Sequence, residues 1–192
     1  MAPTRPSGFA DAVKSSLAMV SFLFLIMAFE IIFRQPLLRY GILPRTIAGL
    51  PGIVFSPLLH GSLGHLLANA VPLLVLLILL RSNPAYHPNR TLGLIWVVSG
   101  LGTWLIGRGN AVHIGASSIV FGLVAFLIVA GFQLKRWLPA AVALLVFLLY
   151  GGIFFGALPQ AGPVSWEGHL CGMIAGAWTA RSTLKGPRGT WD

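Results

Sequence analysis

The sequence predicts an all-α, polytopic membrane protein, and three observations carry that prediction. Of 192 residues, 56% are hydrophobic and only 9% charged, where a soluble domain carries about 25% charged residues. Mean hydropathy is +0.85, too apolar for a disordered chain. Apolar runs near the roughly 20 residues that a helical span needs recur six times. The expectation is one six-helix domain over residues 15–181, with cytoplasmic tails at 1–14 and 182–192.

The first run, Ser16 to Phe33, is broken only by Glu30, which is expected near the outer end of its span. Arg34 to Ser56 follows, with Pro36, Pro44, Pro51 and several glycines. It is too apolar for a linker and too interrupted for a span, so it reads as an interfacial or re-entrant loop. Run two, Pro57 to Leu80, contains His60, His65 and Asn69. A turn built on Asn83-Pro84 and His87-Pro88 ends it. Run three is Leu92 to Ile106. Gly107-Arg108-Gly109-Asn110 and His113 lead into run four, Gly115 to Phe132. Lys135-Arg136 separate it from run five, Leu138 to Leu158. A loop, Pro159 to Ser165, precedes run six, His169 to Ala180. Trp137 and Trp166 read as interfacial anchors.

Net charge is +9, from 13 Lys and Arg against 4 Asp and Glu. No basic cluster interleaves with exposed aromatics, which argues against nucleic acid as a partner. The cations sit at the ends of apolar runs, where they orient helices and meet anionic lipid headgroups. With the N-terminus inside, nine Lys and Arg fall on the inner side and four on the outer. Both termini are therefore expected in the cytoplasm, with the long loop and the starts of runs four and six outward. The single Cys171 has no partner for a disulfide or a metal site, so neither a metal nor a cofactor is expected. The first run is long, without a small-residue cleavage pattern, and is read as a span rather than a cleaved signal. A bacterial inner (plasma) membrane is the expected location.

Polar side chains within spans are costly, so each is a functional candidate. His65 and Asn69 are four apart, about 40° around a helix, and share one face. They fit an interhelical contact or a pair of donors to a developing oxyanion. His60, about 140° from His65 on the same helix, is expected to serve the long outer loop. Run four opens Gly115-Ala116-Ser117-Ser118, where a serine is either an N-cap or a nucleophile with a free first-turn N–H. Gly115, Ser118, Gly122 and Ala125 form one small-residue stripe, and His169, Gly172, Gly176 and Ala180 form another. If the stripes meet, Ser117 faces His169, the pairing of weak nucleophile and base that nucleophilic catalysis needs. His113 reads as solvated or facing headgroups, although it is close enough to Ser117 in sequence to compete as base. Glu167 would orient His169 or be solvated at the interface. His87 reads as an inert turn residue.

Taken together, His60-x4-His65-x3-Asn69, Gly115-Ala116-Ser117-Ser118 and His169-x2-Gly172-x3-Gly176 resemble the rhomboid family of intramembrane serine proteases. The resemblance covers essentially the whole chain and implies a six-transmembrane-helix bundle with a membrane-embedded first loop, Arg34 to Ser56, bracing the site. It implies Ser117 as nucleophile and His169 as general base, without a carboxylate. It also implies His65, Asn69 and the Ser117 N–H as oxyanion donors, and Phe121 as the ring packed on the catalytic imidazole. His60, Gly115, Gly172 and Gly176 are implied as supporting residues.

The sequence departs from the family pattern in three ways. Ser118 stands where glycine is common, Pro51-Gly52-Ile53 replaces a Trp-Arg pair of the first loop, and Ser56 replaces a further histidine. The expected activity is endoproteolysis in or near transmembrane segments of membrane proteins, with lipids as the surrounding partner. The alternative is a non-catalytic relative that binds client helices. A small transporter would predict inverted repeats, and none is evident.

Overall fold

A computed structural model describes residues 8–160, 162 and 164–184. Arg5, Lys185 and Arg188 of the charge count lie outside the described residues, as do residues 1–7 and 185–192 of the two tails. Among the described residues seven α-helices follow in order: α1 (Phe9–Phe33), α2 (Gly52–Phe55), α3 (Leu63–Arg81), α4 (Pro88–Ile106), α5 (Ser117–Leu134), α6 (Trp137–Tyr150) and α7 (Trp166–Thr183). Apart from the single turn of α2, they correspond one to one with the six apolar runs. Four of the described segments are long and apolar enough to cross a membrane: Phe9–Phe33, Leu63–Arg81, Ser117–Leu134 and Trp137–Ala157. Among the described residues the only β pairing is an isolated bridge between Ile42 and His113. The chain is an all-helical integral membrane protein.

Local chemistry moves several boundaries. Asp11 accepts from the Gly8 N–H at 3.2 Å, a cap that starts α1 at Phe9. Residues 9–14, expected as tail, are therefore helix. Ser62 accepts from the His65 N–H at 3.1 Å and starts α3 at Leu63. This corrects the expectation that His60 shares a helix with His65: His60 lies in the segment ahead of it. Pro88 occupies the first turn of α4, a position where its missing N–H costs nothing. Run five ends not as α-helix but as a 3-10 segment, Gly151–Ala157.

Helix α5 is the central element, packed most extensively on α7 and then on α6, α3 and α4. It is apolar all round, as a helix surrounded by others must be. Its Ile119, Leu123, Phe126 and Leu127 join Leu66, Leu73, Leu76 and Leu77 of α3 in the core. The two small-residue stripes meet. A Cβ on Gly172 would overlap the Ser118 carbonyl, and one on Gly176 would overlap the Gly122 carbonyl. Only hydrogen at those positions lets the two backbones approach this closely.

The stretch Arg34–Ser56 is a folded loop, tied down by its own backbone. Ile42 and His113 exchange N–H to carbonyl bonds of 2.9 and 2.8 Å. The Arg45 guanidinium donates to the Leu105 and Gly107 carbonyls at 3.0 and 2.8 Å. The Trp104 indole donates to the Thr46 carbonyl at 2.9 Å, and the Trp96 indole to the Ile53 carbonyl at 3.1 Å. Arg45 and two indoles of α4 thus brace a loop that lacks the Trp-Arg pair at Pro51-Gly52-Ile53.

Candidate active site

Ser117 is the first residue of α5, where backbone N–H groups have no intrahelical partner. Two bonds shape the approach to it. The Gly115 N–H donates to the Ser56 carbonyl at 2.8 Å, and the Ala116 N–H donates to His60 Nε2 at 3.3 Å. Gly115 has φ +106, a conformation in which a side chain is strained. A Cβ there would also lie 2.7 Å from His65 Nε2. Glycine therefore both permits the turn and lets α3 come close. His60 is 3% exposed and lies edge-on to His65 with ring centroids 5.1 Å apart. Its bond goes to the segment before Ser117, not to the long loop that was expected to receive it.

His169 lies in the first turn of α7. Its Nε2 is 2.9 Å from Ser117 Oγ, and its Nδ1 is 2.8 Å from the Gly156 carbonyl. A carbonyl only accepts, so Nδ1 carries the proton and Nε2 is left as acceptor for the serine O–H. Phe121, one turn along α5 from Ser117, stacks on the imidazole at 4.0 Å with 16° between planes. The ring nitrogen, the ring plane and the tautomer are each held by a separate contact.

On the opposite wall, Asn69 donates from Nδ2 to the His65 carbonyl at 2.9 Å, keeping its second amide hydrogen free. His65, Asn69, Ser117, Phe121 and His169 line one cavity of about 630 Å³. Gly172 and Gly176 do not touch it. Their part is the close contact of α5 with α7. Among the described residues no group of three or more His, Cys, Asp or Glu gathers as metal ligands would.

His113 and Glu167 correct the sequence reading. His113 is 4% exposed, with Nδ1 2.5 Å from Ser165 Oγ and Nε2 3.2 Å from the Arg108 carbonyl. Ser165 Oγ already accepts from the Gly168 N–H, so its own proton goes to Nδ1 and neutral His113 completes the chain. Burial accordingly lowers the His113 pKa. Glu167 is 1% exposed and pairs with Arg108, Nε to Oε1 2.8 Å. Arg108 also holds the Gly162 and Val164 carbonyls. These four residues clasp the loop before α7 to the loop before α5, and neither His113 nor Glu167 bonds to the Ser117–His169 pair.

Sequence reasoning missed the Gly156 carbonyl, because a main-chain acceptor in an apolar run leaves no side-chain signal. It also missed Arg45, Trp96 and Trp104. The two tryptophans of run three, Trp96 inside it and Trp104 two residues from its end, were the available sign.

A model of the Rhomboid domain matches residues 48–186. Uncharacterized proteins of Mycobacterium tuberculosis and Mycobacterium bovis are each 44% identical over 148 residues, covering 73% of this chain and 62% of theirs. One from Mycobacterium leprae is 36% identical over 173 residues, covering 85% of this chain and 68% of its own. The chain thus spans less than two thirds of the length of the first two relatives. No solved structure matches it. The match over residues 48–186 takes in all three motif segments, and the chain belongs to the rhomboid family.

Proposed function

We propose that the chain is a serine-type endopeptidase that cleaves peptide bonds in or near transmembrane segments of membrane proteins. The observation that carries this reading is the 2.9 Å contact of His169 Nε2 with Ser117 Oγ, with Nδ1 tied to the Gly156 carbonyl. His169 takes the serine proton while Oγ attacks the substrate carbonyl. The oxyanion forms against His65, Asn69 and the Ser117 N–H. His169 then protonates the leaving amine, and water, activated by the same imidazole, hydrolyses the acyl-enzyme. A helical substrate hides its amides in intrahelical bonds, so it must unwind locally at the cut. In this reading all six long helices span a bacterial inner membrane with both termini cytoplasmic. The dyad then lies toward the outer face, and the cavity's polar residues Ser62, Arg108 and Ser165 admit water.

The test is cleavage of a single-span reporter by purified protein, with fluorophosphonate labelling in parallel. Ser117→Ala and His169→Ala should each lower turnover by on the order of 10⁶, as removal of a nucleophile or base does in serine proteases. Labelling should vanish in Ser117→Ala. Undiminished cleavage by Ser117→Ala would falsify the reading. Absence of both cleavage and labelling in the intact chain would favour a non-catalytic protein that binds client helices.

A further inference from the structure

At the other end of α5 from Ser117, about 27 Å along an 18-residue helix, lies a second cavity. It measures about 1000 Å³ and is lined by Asn83, His87, Arg90, Lys135, Arg136 and Trp137, among others. No Asp or Glu lines it among the described residues.

Arg90 is set against helix-dipole preference, whereas Lys135 and Arg136 follow the carbonyl end of α5. Arg90 is in the first turn of α4, and Arg136 is the N-cap of α6. The N-terminus of a helix is already its positive end and favours anions. Neither helix has an acidic residue in its first turn, and neither has a side-chain cap. The cavity is also lined by Ser82, Leu134, Thr183 and Leu184, at the carbonyl ends of α3, α5 and α7, so its positive field comes from the side chains of Arg90, Lys135 and Arg136 rather than from the helix ends.

An apolar groove adjoins this basic cavity along the chain. It measures about 400 Å³ and lies between α5 and α6, lined by Ile128, Gly131, Phe132, Ala140, Ala143 and Phe147, among others. Its residues precede and follow the basic stretch in the two helices, which places cavity and groove at the same end of both, by the α5–α6 junction. Phe132 and Trp137, 78% and 81% exposed, flank the junction as aromatic side chains do at a membrane–water interface.

We propose that cavity and groove together form a binding site for one anionic phospholipid, in the leaflet opposite to the dyad. The phosphate pairs with Arg90 and Arg136 in the cavity, and an acyl chain occupies the groove. A free phosphate would use the cavity alone. A zwitterionic lipid would satisfy the groove but bring its own cation into a field that repels it.

The experiment is native mass spectrometry of the full chain in neutral detergent, with equimolar phosphatidylglycerol and phosphatidylcholine. One phosphatidylglycerol per chain should be retained in preference. Arg90→Gln/Arg136→Gln should lower that preference about 25-fold, at about fivefold per basic residue near an anionic headgroup. Ala140→Trp, which fills the groove and leaves the cations untouched, should lower retention of both lipids. Thermal melting shows which variants are folded, and the groove variant decides alone if the double variant is not. Equal retention of the two lipids overturns the proposal, as does retention unchanged in a folded variant. Displacement of phosphatidylglycerol by millimolar inorganic phosphate reassigns the cavity to a free anion and equally overturns it.

Discussion

Helix α7 meets α5 through glycines and polar ties, whereas α6 meets the same helix almost entirely through apolar side chains. At the α5–α7 seam, Gly172 and Gly176 bring one backbone against the other. The ends of α7 are then pinned, by Glu167 to Arg108 at one and by the Leu184 carbonyl, which accepts from Gln133, at the other. α6 has one comparable contact, Gly131 against Pro139 and Ala143 in its first half. Its side chains make no hydrogen bonds among the described residues, and Leu144, Phe147, Leu148 and Leu149 are more than half exposed. In lipid, apolar contact between helices brings little gain over apolar contact with acyl chains. Directional bonds and close backbone packing therefore fix α7, while dispersion alone positions most of α6. The proposed dyad spans the first seam and not the second.

The difference can be broken most severely at the seam. Gly172→Val thrusts a branched side chain into Ser118 and must push α7 away from α5. Overpacking of this kind costs about 1–3 kcal/mol, and a displacement near 1 Å at a catalytic pair costs on the order of 10² in rate. Reporter cleavage should fall at least that far, with a lower melting temperature. Next is the clasp. Arg108→Ala strands the buried Glu167 carboxylate, which in a buried pair costs about 3–5 kcal/mol. Because the Arg108 side chain is 32% exposed, about 2–3 kcal/mol is expected, read as a melting shift that Arg108→Lys partly restores.

A smaller effect comes from His113, whose folded-state pKa lies below its ordinary value through burial. The folded chain binds this proton less readily than the unfolded one, so its contribution is intact above the ordinary histidine pKa of about 6.5. It is lost as pH falls below that. Melting followed from pH 7.5 to 5.5 should show a decline that His113→Gln flattens. Smallest of all is Leu148→Ala on the outer face of α6. Leu148 is 71% exposed, and the change should stay within about 0.5 kcal/mol and leave cleavage intact. A large loss there would mean that α6 is held far more firmly than its contacts indicate.

Much of this was legible in the residues. Six apolar runs became helices because backbone withdrawn from water must satisfy its own hydrogen bonds, and that constraint writes itself into composition. The pairing of Ser117 with His169 was legible because close helix packing demands small residues at regular spacing. Helix ends were less so: α1 starts at Phe9 through a cap made by Asp11, and His60 falls outside α3 because Ser62 caps it. One short polar side chain outweighs the apolar pattern around it.

By itself, then, the sequence determined the helical class, the order of the helices, and which faces of α5 and α7 can touch. It also singled out Ser117 and His169, which the structure brings within 2.9 Å of each other. Only the tertiary structure decided that the Gly156 carbonyl orients His169, that His60 serves Ala116, and that Arg45, Trp96 and Trp104 brace the first loop. It likewise buried His113 and Glu167 in a clasp beside the dyad rather than in solvent. The reason is physical. Periodicity encodes contacts that repeat along a helix, whereas a hydrogen bond to one main-chain carbonyl is a single meeting of distant segments and leaves no period to read.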